Sequence, residues 1–144
     1  FEPVGLARSL VKDADFAYEI ILEVNALNVG LVLDSYNLYL KYRKSDYDFK
    51  HIDANKVMAI HLMNGIKVDD GEKIFDQRYR VFCDEGDAID IAKFLKALEE
   101  INYQGMFSTE IFNSSYCKKY SQKEIIQRAF NSLFNVLKDY GKIL

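Results

Sequence analysis

The chain has 144 residues, 49% of them hydrophobic, which suits one domain with a sizeable core and excludes a disordered tail. Nineteen basic residues against 22 acidic ones leave a formal net charge of −3. That balance excludes a broad electrostatic grip on nucleic acid or on an anionic membrane surface, and leaves small uncharged or anionic ligands open.

The chain opens Phe1-Glu2-Pro3-Val4-Gly5, without the charged and apolar regions of a signal peptide, and reads as the end of a strand closing at Glu2. The 144 residues are therefore expected to be part of something longer. Ala14, Ala17, Ile20, Ile21 and Val24 recur at helical spacing, and Asp13 and Asp15 suit an electropositive first turn, so a helix is predicted over 12–25. Val29-Gly30-Leu31-Val32-Leu33 is an apolar run of the kind buried on both faces of a parallel sheet, and it stops at Asp34. Residues 38–56 allow one helix and a turn, and a second apolar run, Val57-Met58-Ala59-Ile60, ends at His61.

A long polar connection over 62–87 follows, containing Gly65, Gly71 and Gly86; such a connection within a compact domain is usually functional. Ile91, Phe94, Leu95, Leu98 and Ile101 mark an amphipathic helix, and Asn102-Tyr103-Gln104-Gly105 breaks it. A third run, Met106 to Phe112, reads as a strand. The last helix opens with the capping box Ser121-Gln122-Lys123-Glu124 and carries the stripe Ile125, Ile126, Ala129, Phe130, Leu133, Phe134 and Leu137.

This alternation is the rhythm of an α/β fold with a parallel sheet. A complete (β/α)8 TIM barrel takes about 250 residues, so four βα units would make half of one; a small doubly wound sheet is the open alternative. No apolar run reaches the roughly 18–20 residues of a membrane-spanning helix. Cys83 and Cys117 form no CxxC pair, which argues against a disulfide framework or a thiolate zinc site and favours a cytoplasmic protein.

Each apolar run ends in a residue able to bind a hard or borderline divalent metal: Glu2, Asp34, His61 and Glu110. In parallel βα architectures the C-terminal strand ends converge on one face, so these four could meet at a single ion. Carboxylates with one imidazole suit Mn, Mg, Co or Zn.

Four segments carry a resemblance beyond this pattern: Glu2-Pro3-Val4-Gly5, the stretch from Asn28 to Tyr36, Arg80-Val81-Phe82 leading into Glu85-Gly86-Asp87-Ala88-Ile89-Asp90, and Ser108-Thr109-Glu110-Ile111-Phe112. Over nearly its whole length, residues 1–144, the chain resembles the C-terminal half of the xylose-isomerase-like TIM barrel family, and within it the inosose (2-keto-myo-inositol) isomerases. The resemblance implies a barrel whose four late strands supply Glu2, Asp34, His61 and Glu110 to one divalent ion. It implies that Glu2 and Glu110 also shuttle protons, and that Arg80 contacts substrate oxygens. The implied activity is isomerisation or epimerisation of a sugar or cyclitol: a proton leaves a carbon next to a carbonyl, and a cation stabilises the resulting enediolate.

The chain departs from the family pattern at three places. Asn37 stands where a substrate-facing histidine is usual, Asn64 where an acid usually follows the metal-binding histidine, and Cys83-Asp84 where Pro-Gly is usual. These changes motivate a second reading, a non-catalytic relative that keeps the fold, with or without the ion. An apurinic endonuclease-like reading is disfavoured, because His51 and His61 are too few for a multi-zinc site. His51 is expected on the surface, Cys117 in a loop, and Lys118-Lys119 is too short for a nucleic-acid patch. A half-barrel would expose sheet edges at the Glu2 strand and the Glu110 strand, so association with the missing N-terminal half or with a second copy is expected, and the fragment alone is expected to be inactive.

Overall fold

The computed structural model describes residues 1–44, 46–67 and 77–141. Asp13 caps the first helix, α1 (Ala14–Val24), by accepting from the Phe16 amide at 2.9 Å, and Ala14, Ala17, Tyr18 and Ile21 form its buried face. The helix begins two residues later than its apolar spacing predicts, because the capping aspartate takes an extended backbone.

The first strand, β1 (Leu31–Asp34), buries Leu31 and Leu33 completely. It runs without a break into α2 (Ser35–Tyr42), which Asp34 caps. The helix expected somewhere within 38–56 thus starts three residues earlier and ends at Tyr42. A single 3-10 turn at Ala54–Lys56 leads into β2 (Val57–His61).

The connection after His61 is partly structured. β3 (Asn64–Gly65) pairs antiparallel with β4 (Arg80–Val81), and Gln77–Tyr79 make a 3-10 turn before β4; the middle of the connection, with Gly71, lies outside the described residues. Gly86 holds the following turn at φ +79°, where a Cβ would stand 2.3 Å from the Gly65 carbonyl oxygen. That oxygen accepts from both Asp87 and Ala88.

Helix α3 (Ile91–Glu100) buries Ile91, Phe94, Leu95 and Leu98, with Phe94 packed edge-on against Tyr47 and Phe49. β5 (Met106–Ser108) is shorter than the apolar run to Phe112 suggests. Two further helices follow, α4 (Ser114–Lys119) and α5 (Gln122–Asp139), the latter closed at its start by the expected Ser121/Glu124 capping box. Cys117 falls within α4 rather than in a loop, and is exposed. The α5 stripe is divided: Leu133 and Leu137 pack on the main core, joined by Val136 from outside the stripe, Ile125 and Ala129 pack on a smaller cluster of Val81, Phe82 and Tyr116, while Ile126 and Phe130 face outward.

The sheet is parallel, in the order β1-β2-β5. Phe1 extends it: its nitrogen donates to the Gly30 oxygen at 2.6 Å and its carbonyl accepts from the Val32 amide at 2.9 Å, the exchange of a parallel ladder. Spatial order therefore follows chain order, the progression of a barrel rather than the reversal of a doubly wound sheet. Among the described residues no helix is long and apolar enough to cross a membrane.

Candidate metal centre

Strand register sets the site. Asp34 and His61 are direct partners at the ends of β1 and β2, His61 pairs in turn with Ser108 of β5, and Glu110 follows two residues on. Side chains two apart on an extended chain share a face, so Glu110 turns to the same end. Glu2 arrives from the ladder position beside β1. The segment behind it docks so closely on α2 that a Cβ on Gly5 would lie 2.1 Å from the Asn37 carbonyl oxygen. Glycine at position 5 is therefore part of how Glu2 reaches the strand ends.

The four residues expected as ligands come together: Glu2, Asp34, His61 and Glu110 each offer an atom, all within 4.8 Å of one another. From His61 Nδ1 the distances are 3.6 Å to Glu2 Oε2, 3.8 Å to Asp34 Oδ2 and 3.5 Å to Glu110 Oε2. These are too long for hydrogen bonds, and His61 Nδ1 is buried with no partner. An unpaired imidazole nitrogen facing three carboxylates fits the donor set of one divalent cation, whose bonds to nitrogen and oxygen run about 2.0–2.2 Å. Burial, followed by the charge of Asp34, pushes the Glu2 carboxyl above its ordinary range; Glu110 adds to this, while His61 and a hydrogen bond from Asn37 oppose it.

Arg80 and Asn37 stand behind the carboxylates. Arg80 is 1% exposed, and its Nη1 donates to Asp34 Oδ2 at 2.7 Å. Its Nε donates to Gln77 Oε1, and its guanidinium lies over the rings of Tyr36 and Phe112. Asn37 donates its backbone N–H to Asp34 Oδ1 at 2.7 Å and its Nδ2 to Glu2 Oε1 at 2.8 Å. Gln77 escaped the sequence reading; its signal was its place three residues before Arg80, where a 3-10 turn aligns side chains. Ser35 escaped it as well: its hydroxyl donates to the Met63 carbonyl at 2.8 Å and accepts from the Met63 amide at 3.1 Å, tying the start of α2 to the segment after β2.

The other departures from the family pattern serve the backbone. Asn64 Oδ1 accepts from the Gly65 and Ile89 amides at 2.8 and 3.0 Å. Cys83 is buried, donates to the Leu62 carbonyl, and has its thiol pushed up to about 12, chiefly by burial. His51 lies on the surface, 3.0 Å from Asp15, and does not join the cluster.

Comparison with known proteins identifies relatives of the chain. The chain is 33% identical over 143 residues to an inosose isomerase of Bacillus subtilis, covering 96% of this chain and 48% of that protein. It is 32% identical to one of Bacillus licheniformis, covering 99% and 49% respectively. A crystal structure of the IolI protein with a bound zinc atom superposes with a TM-score of 0.85 at 32% identity, covering 96% of this chain and 48% of that one. The chain thus spans about half the length of the curated relatives it matches. The family model for the xylose isomerase-like TIM barrel matches residues 1–136, and the chain belongs to that family.

Proposed function

We propose that the chain supplies the metal centre of a divalent-metal-dependent isomerase or epimerase acting on a sugar or an inosose. The observation that carries this reading is the convergence of Glu2, Asp34, His61 and Glu110 around the unpartnered His61 Nδ1. The name shared by the relatives, inosose isomerase, supports a cyclitol as substrate. The same four residues would hold one ion of the Mn, Co, Mg or Zn type, which supplies stabilisation of negative charge developing on substrate oxygens.

The chain's own residues do the rest. Glu110, with its side chain 35% exposed, is the ligand most open to solvent and takes a proton from the carbon beside the substrate carbonyl; it releases that proton to solvent, and Glu2, protonated from solvent in turn, delivers one to the neighbouring carbon or to the opposite face, so that both carboxylates are restored. No net proton is gained or lost. Arg80 and Asn37 hold Asp34 and Glu2 by hydrogen bonds, and the Arg80 Nη2 group, engaged by neither Asp34 nor Gln77, is the donor left for a substrate oxygen.

The same reading takes the chain as the C-terminal four βα units of the barrel. The half-length match to its relatives supports this, as do Phe1 and the β5 residue Met106, 49% and 61% exposed at the two sides of the sheet. The N-terminal half, or a second copy, would cover them.

Elemental analysis of protein purified without added metal, beside the Glu110→Gln variant, tests the proposal. About one divalent ion per chain, bound more weakly in the variant, is expected. Exchange of the substrate's α-proton with solvent deuterium, measured in the full-length protein, is expected to fall by roughly 10²–10⁴. Undiminished exchange in Glu110→Gln would defeat the assignment.

A further inference from the structure

One residue touches two of the four ligands without being a ligand itself. Asn37, in the first turn of α2, places its backbone N–H on Asp34 Oδ1 and its side-chain Nδ2 on Glu2 Oε1. Each bond occupies one oxygen of a carboxylate and leaves the other, Asp34 Oδ2 and Glu2 Oε2, facing His61 Nδ1 at 3.8 and 3.6 Å. The Asp34 bond is an ordinary helix cap, since Asp34 is the N-cap of α2. The Glu2 bond is not: it joins positions 35 apart in the chain, across the close docking of Gly5 on α2.

The amide is held there at a cost. Asn37 is 2% exposed, and its Oδ1 is buried without a hydrogen-bond partner. An apolar side chain of the same shape would leave no such orphan, so the folded chain alone does not explain an amide at this position. What the amide does provide is a neutral, fixed donor aimed at one oxygen of Glu2.

We propose that Asn37 is the positioning residue of the metal centre, restricting Glu2 and Asp34 to one facing oxygen each and so tuning the site toward small divalent ions. This rests on the metal reading above. An ion such as Ca²⁺ collects six to eight oxygens and accepts both oxygens of a carboxylate, whereas smaller divalent ions take fewer ligands at shorter distances. With Glu2 Oε1 engaged by Asn37, a bidentate Glu2 is closed off. Freed from it, Glu2 can rotate and present both oxygens.

The test is the ratio of Mn²⁺ to Ca²⁺ affinity, measured by calorimetry and by the electron paramagnetic resonance of bound Mn²⁺, in the full-length protein and in Asn37→Leu. That substitution keeps the branching at Cγ, keeps the backbone bond to Asp34 and removes only the donor to Glu2; Asn37→Ala serves where leucine does not fold. Mn²⁺ affinity is expected to fall roughly 10–100-fold, the usual effect of losing a group that orients a metal ligand. Ca²⁺ affinity is expected to fall less, and the spectrum of bound Mn²⁺ to change. A folded variant with an unchanged ratio, including one in which both affinities drop equally, overturns the proposal while leaving the metal reading intact. Parent protein that binds neither ion overturns both.

Discussion

The two flanks of the ligand cluster are built differently. On the β1 side Asp34 is fully buried, accepts from Arg80 on one oxygen and from the Asn37 amide on the other, and sits on a helix that Ser35 ties to Met63. On the β5 side Glu110 has its side chain 35% exposed, and among the described residues it accepts no hydrogen bond; its neighbour Thr109 has a buried hydroxyl with no partner. The first flank is fixed by hydrogen bonds within the chain, and Glu110 on the second is not. That division suits a site in which one set of groups must hold an ion while another moves a proton.

The comparison breaks most severely at Arg80. Replacing it with methionine strands a buried carboxylate beside Glu2, and removing one partner of a buried ion pair costs about 3–5 kcal/mol. Chemical denaturation of the metal-free protein should register that loss, and added Mn²⁺ should reduce it, because a cation then faces Asp34. A loss that metal leaves untouched would mean that Arg80 matters to packing alone.

Ser35→Ala is the next largest. It removes a buried hydroxyl that serves both backbone groups of Met63, and stranding such groups costs about 1–3 kcal/mol. On the open flank Glu110→Gln should shift stability by no more than about 0.5 kcal/mol, as for a largely solvent-facing side chain, despite the large effect expected on proton exchange. A destabilisation comparable to that of Ser35→Ala would erase the distinction between the flanks.

The subtlest difference is in pH dependence. Burial and the neighbouring carboxylates hold the Glu2 carboxyl above the ordinary value of 4.5 in the metal-free fold. Between that value and its raised one the folded state binds more protons than the unfolded state, so the Glu2 contribution makes stability fall as pH rises through this window. Glu2→Gln should flatten that fall in urea titrations at several pH values. Saturating metal should flatten or reverse it, since ligation requires the deprotonated carboxylate.

Much of this was legible in the sequence. The strands ending at Asp34 and His61, α3 and the capping box of α5 come from local signals: an apolar run, a 3.6-residue period, a serine three residues before a glutamate. Each is decided by neighbours within one or two turns of chain. The four candidate ligand types at or just beyond successive strand ends were legible for the same reason, as was the family.

What only the tertiary structure decided involves groups far apart in the chain. No period announces that Arg80 is buried on Asp34, that Asn37 grips Glu2 across 35 positions, or that Gly5 is pressed against the Asn37 carbonyl. Hydrophobic periodicity reports which side of an element is buried, but it cannot tell which of several apolar residues finds a partner. Hence the α5 stripe reads as continuous, while in the fold Leu137 is covered and Ile126 and Phe130 are not. Sequence determined the chemical kinds of the candidate ligands and the order in which strands deliver them. Their oxygens are aimed by long-range hydrogen bonds, which exist only once the sheet and α2 have docked.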